Sequence, residues 1–238
     1  MVNLEMQVNK TQAGIYTVTY GSIGVPLNVQ EAAFAVHGLD IVSPAQLGFL
    51  RANDPYDTFN SYSRTDADVF YDDRGRGQVV IVPGEEISKL VGISNLVDAH
   101  RQGREYVIPE AQRDLVYAMV DEMLKSGIAF VAPDGRTEVQ TSKFGKNDLT
   151  SRLFSDPDLG IDAQEYGDWL KSKGKDANTF YMDVSDYSKV QKGPYLNRLR
   201  VYGHDFDFNV LGINWFLNLN YGAFGVHFEK SAEGGQKK

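Results

Sequence analysis

YLNRLRVYGHDFDFNVLGINWFLNLNYGAFGVHFEK, residues 195–230, alternates apolar and polar side chains around three glycine-containing pairs, Gly203-His204, Leu211-Gly212 and Gly222-Ala223. Two-residue loops at these pairs would fold it into a four-stranded antiparallel meander. Glycine first in such a loop suits a type II′ turn at Gly203 and Gly222, whereas Leu211 fits a positive φ poorly. Pairing then sets Val201 opposite Phe206, Leu199 opposite Phe208, Phe208 opposite Trp215, Phe206 opposite Leu217, Leu217 opposite Phe228 and Leu219 opposite Val226. A one-residue slip would invert every face, so agreement across three hairpins carries more weight than any one of them. The apolar face predicts a wall packed on helices or a second sheet.

The opposite face collects Arg200, Asp207, Phe216 and Glu229 in one row and Tyr202, Asp205, Asn218 and His227 in the next, flanked by Asn209, Asn214 and Asn220. Read plainly, this is a solvated face whose Arg200 and Asp207 pair across strands, an interaction worth little when exposed. Read functionally, it is a binding surface centred on Phe216, with Tyr202, Asn218, His227, Arg200 and Asp207 around it, because an exposed aromatic among hydrogen-bonding groups suits recognition. A metal or acid/base site from Asp205, Asp207, His227 and Glu229 is disfavoured by spacing. Asp207 and Glu229 would sit two strands apart, roughly 9 to 10 Å between backbones.

The chain has 238 residues, 42% of them hydrophobic, enough for a large core in one large domain or two small ones,. Its N-terminus, MVNLEMQVNKTQ, lacks a secretory pattern, and no apolar run reaches the ~20 residues of a spanning helix, so a cytoplasmic protein without a membrane partner is expected. The absence of cysteine excludes disulfides, thiolate metal sites and thiol nucleophiles,. A net charge of −8 disfavours nucleic acid as a partner,.

Leu4–Val8 and Ile15–Tyr20 predict an N-terminal β-hairpin, Asn28–Glu31 a capping box opening a short helix that stops at Gly38, and Ser43-Pro44 the start of a second. Residues 53–77 carry Asp54, Asp57, Asp66, Asp68, Asp72 and Asp73 with few aliphatic side chains, and read as a long acidic loop with one edge strand at most. Asp66, Asp68 and Asp72 are weak oxygen ligands for a cation, since Phe70 and Tyr71 break an EF-hand pattern. Gln78–Val82 predicts a strand, 85–102 helix broken near Gly92, and Pro109–Ser126 a helix closed by Gly127. Residues 128–132 and 137–140 predict a hairpin around Pro133-Asp134-Gly135, and Asp162 with Glu165 opens another helix. Residues 143–147 or 171–178 are weak candidates for a boundary, and 231–238 reads as a disordered tail.

Together these features predict an α+β fold over residues 1–230, with the C-terminal meander on helices and a central helical region. No nucleophile elbow, dinucleotide fingerprint or phosphate loop is present, and no cofactor is implied. The favoured function is binding or assembly without catalysis, through a protein partner or self-association, as in a subunit of an intracellular or viral particle. The alternatives are a metal-dependent hydrolase using carboxylates of the sheet face or of the loop 54–73, and DNA binding through a helix-turn-helix-like segment at 85–104.

Overall fold

A computed structural model describes residues 6–23, 25–60, 63–102, 106–182, 193–201, 210–212 and 223–231. The chain opens with a hairpin, β1 (Val8–Ala13) and β2 (Tyr16–Ile23), turning at Gly14 with φ +57°. The expected hairpin is present, but its first strand starts at Val8, where the predicted one ended. Lys10, Thr11 and Gln12 show no apolar alternation because β1 is an edge strand whose side chains mostly face solvent,.

α1 (Leu27–Val36), β3 (Asp40–Ile41) and α2 (Pro44–Asn53) follow. At α2 the Ser43 hydroxyl accepts from the Gln46 amide while the Gln46 side chain accepts from the Ser43 amide, a closed capping box,. At α1 the expected box is not formed. Pro26 holds the N-cap position, Asn28 and Glu31 lie inside the helix, and Glu31 is free to find another partner.

The stretch read as an acidic loop contains β4 (Ser63–Asp72), ten residues that are almost wholly buried. Asp68 at its middle is paired by Arg198, 130 residues away, which composition cannot reveal. Next come β5 (Gln78–Val82), α3 (Glu86–Val91), α4 (Ile93–Arg101), β6 (Tyr106–Val107) and α5 (Glu110–Ser126). α5 ends at Gly127, φ +78°, as expected, and buries Val116 and Val120 while leaving Leu115 58% exposed. β7 (Phe130–Val131) and β8 (Gly135–Gln140) do not pair as the predicted hairpin: β7 joins β5, and β8 joins β9 (Ala177–Met182). Between them lie a 3-10 turn (Thr141–Lys146), α6 (Asp148–Phe154) and α7 (Ala163–Ser172). Phe144 is fully buried within the 3-10 turn, and α7 passes through Gly174 into β9, so neither polar stretch is a loose linker.

The last strands are β10 (Tyr195–Val201), β11 (Val210–Gly212) and β12 (Ala223–Lys230). They overturn the meander wherever the described residues test it. Leu211-Gly212, expected as a turn, belongs to a strand parallel to β9 and bridged to Arg200. Val226 lies between Tyr20 of β2 and Asp40 of β3, which leaves no edge for Leu219. The turn at Gly203-His204 and the pairings of Asp205, Phe206, Asp207, Phe208, Trp215, Phe216, Leu217 and Asn218 lie outside the described residues. The alternation itself survives: Leu199, Val201 and Val226 are buried, and His227 and Glu229 are exposed.

The result is an α+β fold on a large, mostly antiparallel sheet in which the β4–β10 pair is the spine. Near the C-terminal end of β10 the strands run β1-β2-β12-β4-β10-β11-β9-β8; near its N-terminal end β4 turns its outer edge to β5 and β10 its outer edge to β6. The spine is covered on both faces, which explains why its strands do not simply alternate. Ala67, Val69, Leu199 and Val201 face a core shared with α2, α6 and α7, including Leu50, Phe154 and Tyr166. Phe70 and Leu196 on the reverse face meet Ile87, Leu96, Val116 and Val120. A third cluster, Met6, Phe34, Leu39, Ile41, Val97 and Ala223, contains α1's buried Phe34. Among the described residues no helix is long and apolar enough to cross a membrane.

Candidate functional site

One row of backbone neighbours crosses the sheet: Ile23, Ala223, Arg64, Arg200, Gly212, Tyr181 and Arg136, each paired with the next. β10 leaves the sheet just after this row, at Val201, and β11 begins two residues before it, at Val210. β11 ends on it at Gly212, and β12 begins on it at Ala223. The connections 202–209 and 213–222 therefore have all four of their anchors on this row or within two residues of it.

The row is firmly held where it meets β10. Arg51 of α2 is fully buried and donates from Nε to the Phe59 carbonyl at 2.9 Å, from Nη1 to the Tyr166 hydroxyl at 3.0 Å and from Nη2 to the Val201 carbonyl at 3.3 Å. The last of these holds the residue from which 202–209 departs. Thr65 donates its hydroxyl to the Leu199 carbonyl at 3.1 Å. Arginine's rigid fork is suited to bridging several carbonyls at once.

A second polar centre is buried on the spine. Arg198 sits opposite Asp68, and its guanidinium reaches Asp68 at 3.4 Å, Glu85 at 3.1 Å, Glu31 at 3.3 Å and the Asp66 carbonyl at 2.9 Å. The register shifts between Arg198 and Arg200, where β4 spends four residues against two of β10. Such a bulge re-aims the residues inside it. Here the Asp66 amide donates to Val42 while its carbonyl accepts from Glu85. Asp68 also accepts from the Ser88 amide at 2.8 Å and from the Ser88 hydroxyl. Burial pushes Asp68 above the usual carboxylate range despite Arg198. Burial, then the neighbouring Glu85, raises Glu31 to about 7, and burial raises Asp66 to about 7, with Glu85 and Asp68 adding to the effect against Arg198. One cation shared by four carboxyl groups keeps protons on some of them.

These contacts decide the fate of the candidate metal ligands. Asp66 and Asp68 do lie together, but Arg198 stands among the carboxylates where a metal would be needed. Asp72 is occupied by Arg74, at 2.8 Å, and its partner network with Asp121 is a surface one. Among the described residues no group of three or more His, Cys, Asp or Glu is arranged to hold a metal ion. His227 and Glu229 sit on the exposed side of β12, 3.7 Å apart. His227 is four residues along β12 from Ala223, about 13 Å at strand rise, so it is not grouped with Arg200 as expected,. Phe216, Tyr202, Asn218, Asp205 and Asp207 lie outside the described residues.

The segment considered for DNA reading is α3, Gly92 at φ +84° and α4, packed with Ile87, Val91, Leu96 and Ala99 inside. A single-residue link does not match the three- or four-residue turn of that motif, and the exposed side of α4 offers Ser94, Asn95 and Asp98. Sequence reading missed Arg51, Arg198, Glu31 and Glu85. The available signal was Arg51 after Phe49-Leu50 and Arg198 between Leu196 and Leu199, arginines in largely apolar surroundings that demand buried partners,.

No family model and no curated protein sequence matches the chain. A solved structure, described as "Accommodation of massive sequence variation in Nanoarchaeota by the C-type lectin fold", superposes with a TM-score of 0.57 at 14% identity, covering 92% of this chain and 100% of that one. The chain is similar in fold to that C-type lectin structure. At this identity the lectin-like fold carries no ligand with it.

Proposed function

We propose that the chain is a non-catalytic recognition protein, in which the lectin-like scaffold presents residues of 202–209 and 213–222 to a protein partner in a cytoplasmic setting. The observation that carries this reading is that all four anchors, Val201, Val210, Gly212 and Ala223, lie on or within two residues of one row across the sheet. Composition supports it. The eighteen residues of the two segments hold six aromatics and four asparagines, with no Lys, Arg or Glu. Aromatics supply large contact area at low entropic cost and asparagine supplies adaptable hydrogen bonds, the same mixture that serves antibody paratopes. Phe216, Tyr202, Asn218 and Asp207 are the proposed contact residues, next to the backbone of Arg200. The structural neighbour is described as accommodating massive sequence variation, which agrees with a scaffold whose stability is separate from its displayed residues.

The test compares partners retained from lysate by the full chain, by a Phe216→Ala/Asn218→Ala variant and by an Arg136→Ala/Glu138→Ala control on β8, with binding then measured on the purified partner. Loss of the partner, by at least tenfold in Kd, in the first variant alone is expected. Equal retention by all three would sink the reading. Light scattering on the purified chain separates self-association, as in a particle subunit, from capture of a different protein.

A further inference from the structure

We propose that the cleft between the β1–β2 turn, the C-terminal end of α2 and the loop 157–160 is a binding site for a small zwitterion with an apolar body, the chemistry of an apolar α-amino acid. The site goes beyond the recognition reading and stands without it. Lys230 at its edge lies seven residues along β12 from Ala223, about 23 Å at strand rise, so the cleft is apart from the anchors of 202–209 and 213–222,.

The cleft has a volume of about 440 Å³, within the roughly 300–1,000 Å³ that small-molecule sites occupy,. Its floor is aromatic. The buried rings of Tyr16 and Phe49 meet edge to face at 5.9 Å, and Phe228 packs on both from behind, at 5.6 and 6.2 Å. Ile15, 51% exposed, and Leu159 add apolar wall. An apolar ligand body set here would remove this surface from water.

The walls are held in place without a ligand. The Asp156 carboxylate accepts from the amides of Asp158 and Leu159, both at 3.1 Å, and the backbones of Asp156 and Ile161 bond to each other across the loop. The Tyr16 hydroxyl donates to the Leu159 carbonyl, and the Ser231 amide donates to the Ile15 carbonyl at 2.9 Å. Gly14, φ +57°, runs so close to the Phe49 ring that an added Cβ would stand 3.1 Å from its Cζ. A pre-formed site loses less affinity to its own ordering.

The rim carries charges of both signs. Asp158, Glu165 and Lys230 line the cleft, and among the described residues none of the three side chains forms a hydrogen bond or an ion pair. The capping box expected of Asp162 and Glu165 is not closed: Asp162 accepts from the Gln164 amide, Glu165 returns no bond, and its carboxylate is left to the cleft. Asn53 adds an acceptor. Its Nδ2 donates to the Phe49 carbonyl, and its Oδ1 is turned to Gly14, 3.6 Å from where that added Cβ would stand. Lys230 lies two residues beyond Phe228, so it shares the face of β12 on which the rings pack,. Three acceptor groups and one ammonium around an apolar floor match a ligand that carries an ammonium, a carboxylate and an apolar body. A simple cation would leave Lys230 unanswered, and a simple anion would face two carboxylates.

Amide NMR titration of the full chain with L-phenylalanine, phenethylamine and hydrocinnamate tests this, the last two each lacking one of the charges. Phenylalanine should give saturable shifts centred on the amides of Gly14, Ile15, Leu159 and Gly160, with a Kd of about 1 mM or tighter for a ligand of its size. Phenethylamine and hydrocinnamate should bind about threefold or more weakly. Lys230→Gln should weaken phenylalanine and leave phenethylamine unchanged, whereas Glu165→Gln should weaken both; the two side chains are exposed, so neither change touches the core. No saturable shift with phenylalanine, shifts centred away from the cleft, phenethylamine or hydrocinnamate bound as tightly as phenylalanine, or affinities unchanged in both variants would each overturn the site.

Discussion

Arg198 has no exposed atom to solvate, and its worth to the fold lies in the carboxylates it faces. Removing a buried partner leaves uncompensated charge, typically a loss of about 3–5 kcal/mol. Arg198→Met should fall in that range in urea denaturation. It should lose more at pH 8 than at pH 5.5, because protons can take over part of the neutralisation at the lower value; equal losses at both would mean the carboxyl groups do not respond to the guanidinium. Arg198, Asp66 and Asp68 also show where sequence reading stops. Asp66 and Asp68 look like a solvated or cation-binding loop until Arg198, some 130 residues on, is known to lie opposite. The Glu31 capping box was plausible chemistry displaced by Pro26.

At the scale of elements, α7 meets the 3-10 turn through Gly167, where an added Cβ would come 2.4 Å from the Thr141 carbonyl oxygen and 2.8 Å from Phe144 Cβ. Glycine to alanine inside a helix ordinarily stabilises by about 1 kcal/mol through propensity. Backbone contact reverses the sign here, and Gly167→Ala should destabilise by about 1–3 kcal/mol in thermal or chemical melts. A neutral or stabilising result would show that α7 can slide away from Thr141. Local signals were the legible ones: the Ser43 cap, Gly127 at the end of α5 and the in-and-out order of Val226, His227 and Glu229 were all readable. Pairing partners were not. Glycine turns and alternation fit a meander as well as they fit strands claimed by β2 and β4, since either arrangement satisfies the same local pattern, and only the buried surface of the whole sheet chooses between them. Of the candidate site, Phe216, Tyr202, Asn218 and Asp207 lie outside the described residues, and His227 stands four residues along β12 from the row of Arg200, because β12 pairs with β2 and β4 where the meander pattern gave it another neighbour.

The whole molecule combines an acidic chain with a spine that buries carboxyl groups beyond the charge available to balance them. Folding therefore takes up protons near neutrality. Glu31 and Asp66 titrate at about 7 in the folded protein, against ordinary values of 4.5 and 3.8. Unfolded, both are ionised at pH 5.5; folded, both are mostly protonated, so the native state binds more protons and stability falls as pH rises. Asp121 shifts the other way, held down by Arg74, but it is 55% exposed and its contribution is screened,. The balance predicts a higher urea midpoint at pH 5.5 than at pH 7.5, corresponding to about 1–3 kcal/mol of unfolding free energy once partial exposure of Glu31 is discounted. Glu31→Gln should flatten the profile by removing one of its two main sources. A wild-type midpoint unchanged or lower at pH 5.5 would mean that the buried carboxyl groups meet water or a further cation in the native state, and that the spine is not the proton-holding centre its geometry describes.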